Sequence, residues 1–362
     1  MQTVLKESEK IAFSLRTLYK KYGYLPYHMS KFEVYDLYAN NKDFLRGGGV
    51  ITFNDTDGKL LALKPDVTLS IIKNGTDGEK QKVYYHENVY RISGETKQFK
   101  ELVQVGLECI GNNGIYDVYE TLYLAAASLK EISQNFVLDI SHLGILEGML
   151  ETLALSEECN VRLTRLIAEK NVHEIQSLCQ EYGVDEDKMQ ALLTVVRCYG
   201  KIDEVLQKIR PLCKNEKTAT AYSELESIAC LLKTCPFAEN IRLDFSVVNN
   251  RKYYNGITFT GFVDGVAERV LSGGQYDALM QSMGRRAGAI GFAVYLDTLS
   301  SLHRSHVEYD VDVLFLYDET TPIERIISET QKYAQENKSV RVQKEKGTIR
   351  AKEIICIKGI NE

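Results

Sequence analysis

Between Asn88 and Glu108 lie one arginine, Arg91, and two hydrogen-bonding side chains, Gln104 and Glu108, on what reads as a pair of neighbouring strands. In the run 102–108 the two-residue period of a strand puts Gln104, Gly106 and Glu108 on one face and Val103, Val105 and Leu107 on the other. A carboxylate and an amide two strand steps apart suit an α-ammonium or an imidazole, with Gly106 leaving space between them. The alternation has a plainer explanation, a half-exposed strand with its polar residues facing water. The pattern taken alone leaves both open.

The surrounding elements are those of a mixed fold. Residues 3–22 place Leu5, Ile11, Leu15 and Leu18 on one helical face and stop at Gly23. From Tyr24 to about Ile110 the texture is of short strands, with residues 55–58 (Asp-Thr-Asp-Gly) turning 50–53 back onto 60–63; one antiparallel sheet is the simplest arrangement. A helix is expected over 115–134 and a strand over 136–140. Apolar residues then recur three and four apart from about 144 to 235, which predicts a helical insertion. Sheet character returns at 241–245 and runs to about Val270, after which 276–283 and 291–302 look helical. The remainder, 309–362, reads as a small β-α-β-β unit, so the expected division is a core over 1–308 and an appended piece over 309–362.

Bulk properties narrow the function classes. With 362 residues, 44% of them hydrophobic, the chain can bury a substantial core. A net charge of −6 argues against a surface given over to a nucleic-acid backbone. Eight scattered cysteines form no Cys-x-x-Cys pair, so buried free thiols are expected rather than zinc or a disulfide framework. No apolar stretch approaches ~20 residues, and a cytoplasmic protein without a membrane anchor is expected.

Six segments extend the polar strand into a longer pattern: 63–68 (Leu-Lys-Pro-Asp-Val-Thr), 89–91 (Val-Tyr-Arg), 104–108 (Gln-Val-Gly-Leu-Glu), 253–256 (Tyr-Tyr-Asn-Gly), 273–277 (Gly-Gly-Gln-Tyr-Asp) and 291–293 (Gly-Phe-Ala). In order and approximate spacing they resemble the catalytic core of the histidyl-tRNA synthetases, over about residues 5–302. The resemblance implies an α+β fold of the class II aminoacyl-tRNA synthetase kind, an antiparallel sheet flanked by helices, dimeric through the first motif. It implies that Asp66, Thr68, Gln104 and Glu108 contact the amino and imidazole groups of histidine. Arg91 would hold a carboxylate or phosphate, and Tyr253, Tyr254 and Tyr276 would wall the side-chain pocket.

The departures from that family concern charge. Its Arg-Gly-Leu-Asp-Tyr-Tyr segment corresponds to 249–254, which puts Asn249 where the activating arginine stands; Arg251 is the nearest substitute. Its Gly-Leu-Glu-Arg corresponds to Tyr295, Leu296, Asp297 and Thr298, and its Gly-Gly-Arg-Tyr-Asp has Gln275 for the arginine. The first-motif proline is Ser30. Adenylate formation spreads negative charge over a phosphate in transit, and loss of one electrostatic donor in such a site costs ~3–4 kcal/mol, by analogy with oxyanion-hole deletions. Arg285 and Arg286 are expected in a solvated turn, and 309–362 is too small for the family's anticodon-reading domain.

Synthetase relatives with this profile, a core without activating arginines or a tRNA-reading domain, are the regulatory subunits of ATP phosphoribosyltransferase. That resemblance implies no catalytic residues, no cofactor and no metal. It implies partnership with the short-form catalytic subunit, a homodimer through the synthetase-like core, histidine as a candidate ligand, and no tRNA. A divergent histidyl-tRNA synthetase and a stand-alone histidine sensor remain as alternatives.

Overall fold

A computed structural model describes residues 5–45, 49–75, 78–92, 96, 98–248, 253–301 and 309–357. The chain divides into two compact units, Met1–Leu302 and His303–Glu362.

The first unit opens with α1 (Glu7–Lys21), which carries Glu7 and Glu9 at its positive end and buries Ile11, Leu15 and Tyr19. Gly23, at φ +80°, closes it with the paired bonds Gly23 N to Lys20 O and Tyr24 N to Tyr19 O. β1 (Leu25–Pro26) and β2 (Phe32–Val34) follow, then α2 (Tyr35–Ala39), β3 (Thr52–Asn54) and β4 (Leu60–Leu63). The expected hairpin forms around Gly58, at φ +84°. It belongs, however, to a separate three-stranded sheet ordered β2-β4-β3. Residues 24–110 therefore build parts of two sheets rather than one.

After α3 (Thr68–Asn74), the long strands β5 (Gln81–Ile92) and β6 (Phe99–Gly111) pair antiparallel over their whole length. α4 (Ile115–Ile132) packs against the sheet, and β7 (Phe136–His142) leads into the helical insertion. That insertion comprises α5 (Leu143–Leu153), α6 (Glu157–Ala168), α7 (Val172–Glu181), α8 (Glu186–Arg197), the two-residue β8 (Tyr199–Gly200), α9 (Ile202–Ile209) and α10 (Glu216–Leu232). Ser156, Asn171, Asp185 and Asn215 each accept a backbone N–H at the start of α6, α7, α8 and α10. These side-chain caps partition the apolar 3.6-residue periodicity into separate helices.

The chain returns through β9 (Ile241–Asp244), β10 (Ile257–Val263), β11 (Leu271–Gln275), α11 (Asp277–Ser282) and β12 (Gly288–Tyr295). The main sheet runs β1-β5-β6-β12-β11-β10-β7-β9-β8, antiparallel at every junction except β1/β5 and β7/β9. Sheet character thus extends past Val270, and 291–301, the described part of the expected helix, contains no α-helix. Its first part is β12, held between β6 and β11, and only Leu296–Ser301 forms a 3-10 turn. Short apolar runs do not distinguish a buried strand from a buried helix, and here pairing on both edges decides. From Gln104 onward β6 is buried residue by residue, which removes the half-exposed reading of that strand.

Two further expectations change. Arg285 is no free member of a solvated turn; its guanidinium donates to the carbonyls of Ile72, Lys73 and Gly75 and so caps the C-terminus of α3. The cysteines are free, but Cys230 and Cys356 are exposed and Cys213 is half-buried.

In the second unit β13 (Val311–Tyr317), α12 (Ile323–Gln335), β14 (Val340–Gln343) and β15 (Ala351–Ile357) form a parallel sheet ordered β14-β13-β15. Its small core joins Val313, Phe315 and Ile357, with Tyr333 of α12 edge-on to Phe315.

Candidate functional site

The register of the sheet sets the floor of a cavity. Gly291, Ala293 and Tyr295 of β12 lie opposite Glu108, Gly106 and Gln104 of β6, so the six share one face. Gly106 has no room for a side chain, because a Cβ there would strike the Tyr85 ring and the Phe292 carbonyl. At Gly291 a Cβ would occupy the place of the Glu108 carboxylate. The two glycines thus admit a phenol and a carboxylate beneath the same opening.

The roof comes from the loop entering α3. Asp66 Oδ1 accepts the Leu69 N–H at 3.0 Å and stabilises the first turn of that helix. Lys64, fully buried, reaches Glu87 of β5 at 2.7 Å and ties the loop to the sheet. Arg91 donates from Nε to the Pro65 carbonyl at 2.9 Å, leaving the rest of its guanidinium fork available to the cavity.

Glu108, 2% exposed, is the hub. Thr68 donates to its Oε1 at 2.8 Å and Tyr276 to its Oε2 at 2.6 Å. Tyr253 packs on Tyr254 and Tyr276, with ring centroids 4.7 and 5.8 Å apart. Burial first, and then the negative charge of Glu108, pushes the phenols of Tyr85 and Tyr276 well above their ordinary range; for Tyr253 burial is followed by the charge of Asp66. All three remain neutral hydrogen-bond donors at any physiological pH.

One cavity is lined by Asp66, Thr68, Arg91, Gln104, Glu108, Tyr253, Tyr254 and Tyr276 together. The structure thus brings all eight residues expected from the sequence to one place. It adds Val67, Tyr85, Ser272, Phe292 and Tyr295. Tyr85 lies directly across from Gly106 in the β5–β6 register. Two carboxylates, Asp66 and Glu108, face one guanidinium among the described lining residues. Such an enclosure favours an ammonium or imidazolium and opposes a phosphate.

The positions of missing charge are partly visible. Thr298 donates its hydroxyl to the Tyr295 carbonyl at 2.7 Å. Gln275 uses Oε1 to accept the Ile257 N–H at 2.7 Å, its side chain filling the space over Gly256. Asn249 and Arg251 lie outside the described residues. No group of three metal-ligating side chains is assembled among the described residues, and no helix among them is long and apolar enough to cross a membrane.

Residues 3–299 match the family model for histidyl-tRNA synthetase. An ATP phosphoribosyltransferase regulatory subunit from Acetivibrio thermocellus is 29% identical over 84% of this chain and 75% of its own length. One of the same name from Oceanobacillus iheyensis is also 29% identical, over 78% of this chain and 70% of the relative. Among solved structures, an ATP phosphoribosyltransferase regulatory subunit/histidyl-tRNA synthetase from Bacillus halodurans superposes with a TM-score of 0.74 at 23% identity, covering 100% of this chain and 97% of the other. A chain of the ATP phosphoribosyl transferase (HisG:HisZ) complex from Thermotoga maritima gives 0.64 at 20% identity, covering 81% and 98%.

Proposed function

Because the chain belongs to the histidyl-tRNA synthetase family, we propose that it keeps that family's amino-acid cavity and works as the non-catalytic regulatory subunit of ATP phosphoribosyltransferase in histidine biosynthesis. The observation that carries this is the charge of the cavity: among its described lining residues, two buried carboxylates, hydroxyl donors and one guanidinium make a receptor for a small zwitterion. Stabilising a phosphate in transit calls for a surplus of fixed cations instead. The names of the relatives support the same reading.

The partner is the short-form catalytic subunit, and the chain sustains its activity while transmitting inhibition by histidine in the cytoplasm. Histidine occupies the cavity, its ammonium and imidazole against Asp66, Thr68, Gln104 and Glu108 and its carboxylate toward Arg91, with Tyr253, Tyr254 and Tyr276 as walls. Inhibition requires that the inactive state of the complex bind histidine more tightly than the active one. Residues 1–308 act as the core and as a homodimer, and 309–362 as a small appended unit.

Co-expression with the short catalytic subunit, followed by purification and phosphoribosyl-transfer assay with and without histidine, tests this. Co-purification, activation and histidine inhibition are expected. A catalytic subunit equally active and equally inhibited alone refutes it, and histidine-dependent pyrophosphate exchange by the isolated chain would assign it to the synthetases instead.

A further inference from the structure

Tyr276 stands where β11 ends and α11 begins, at φ −136° and ψ 45°, a conformation that belongs to neither a strand nor a helix. Regular structure alone does not fix it, yet its phenol meets the Glu108 carboxylate at 2.6 Å. Asn255 holds it from both sides. The Asn255 backbone N–H donates to the Gln275 carbonyl at 3.1 Å and its side-chain Oδ1 accepts the Asp277 N–H at 2.8 Å, so the residues before and after Tyr276 share one neighbour. Asp277 carries the grip to β12: its Oδ1 accepts the Ala289 N–H at 2.8 Å, while the Ala289 carbonyl accepts the Tyr276 N–H at 2.9 Å. The Asn255 amide closes the bracket by donating to Asp277 Oδ2 at 3.4 Å.

Neither side chain is among the described residues that line the cavity; both line a separate outer groove with Gln275 and His142. An effect of theirs on a ligand beside Glu108 therefore passes through Tyr276. A phenol held in place beforehand also lowers the ordering cost when a ligand arrives. We infer that Asn255 and Asp277 are a positioning pair, which sets the Tyr276 phenol on Glu108 and so prepares the cavity's carboxylate without touching what binds there. The inference deepens the proposed function by assigning two residues behind the wall of the same site, and only its histidine arm rests on that reading.

An ionised carboxylate only accepts, whereas an amide both accepts and donates, so the bracket needs one of each. Asn255→Asp sets two acceptors against each other and Asp277→Asn sets two donors. The two changes together turn the same bond round and keep an oxygen for the N–H groups of residues 277 and 289. Titration calorimetry with histidine on the full chain should show each single variant about tenfold weaker than wild type, the scale of one displaced hydrogen bond to a charged group, and the double variant within about threefold of wild type. In a Tyr276→Phe background, where the positioned bond is absent, each single change should cost less than about threefold. The Tyr276 ring signal in NMR spectra of isotope-labelled tyrosine, assigned by its loss in Tyr276→Phe, should shift in the single variants and return in the double one, with or without ligand. Asn255→Ala, which removes the bracket without opposing like groups, stands in for a single variant that does not fold. Single variants that bind histidine as wild type does and leave the ring signal in place overturn the inference. So does a double variant as weak as the singles with its ring signal still displaced, or an undiminished loss in the Tyr276→Phe background. If wild type binds no histidine, the proposed ligand fails on its own and the ring signal decides: displacement in the singles with return in the double variant supports the pair, and an unmoved signal refutes it.

Discussion

Both carboxylate oxygens of Glu108 receive hydroxyl donors, Thr68 on one and Tyr276 on the other, so the group is oriented before any ligand arrives. Glu108→Gln keeps the shape and removes the charge. Histidine affinity should fall by about 10- to 100-fold, the ~1.5–3 kcal/mol of a hydrogen bond to a charged group, as read by calorimetry. Unchanged binding would place histidine elsewhere. At this scale much was readable beforehand, because strand alternation at Gln104 and Glu108, joined to the resemblance to the synthetase core, singled out eight residues that do line one cavity. Tyr85 and Tyr295 were not singled out, since their contribution depends on cross-strand register, which local alternation does not encode.

Elements are held by charges that the sequence does not advertise. Lys64, on the loop between β4 and α3, has its ammonium buried against Glu87 of β5. Replacing it by methionine leaves a carboxylate without its cation and should destabilise the first unit by ~3–5 kcal/mol. Pairing that change with Glu87→Leu should recover most of the loss, and chemical denaturation of both variants checks the difference. Asp139 of β7 presents a different case: burial first and the neighbouring Asp244 next raise its carboxyl to about 7, against the opposing pull of Lys170 and Arg242. Its Oδ1 has no hydrogen-bond partner. Because this carboxyl holds its proton in the folded chain long after it would lose it unfolded, stability falls as pH rises from about 4 and the penalty is complete above about 7. Asp139→Asn should flatten the fall in melting temperature between pH 5 and 8 and raise it most at pH 8. Equal slopes in the two proteins would contradict the shift. The helical insertion was legible through its strong 3.6-residue period and its Ser, Asn and Asp caps, whereas β12 was not. Its run of Gly, Phe, Ala and Val carries no alternation because both of its faces are covered.

For the molecule as a whole, the small β2-β4-β3 sheet turns Phe32, Val34 and Phe53 outward on one face, with the Phe32 and Phe53 rings edge-on at 5.6 Å. An apolar face of this kind supports the proposed homodimer. Phe32→Asp combined with Phe53→Asp should shift sedimentation from dimer to monomer while circular dichroism stays constant; a dimer that persists would put the twofold contact on another surface. The class of fold could be anticipated from the resemblance to the synthetase core, the order of helical and strand segments alone giving only a mixed fold. The split into two sheets could not, since a two-residue strand such as β1 and the three-residue β2 are too short for periodicity to speak.

The excess of carboxylates among the described residues lining the cavity has a consequence for physiology. An imidazole in water gives up its proton near pH 6.5, and beside Asp66 and Glu108 a bound one would retain it to higher pH, so each histidine captured draws a hydrogen ion from the medium. Between about pH 6.5 and that raised value the response should weaken by up to about tenfold per pH unit, and calorimetric heats should vary there with the ionisation enthalpy of the buffer. Feedback on the pathway would then tighten as the cell interior acidifies, making the subunit a joint meter of end-product and acidity.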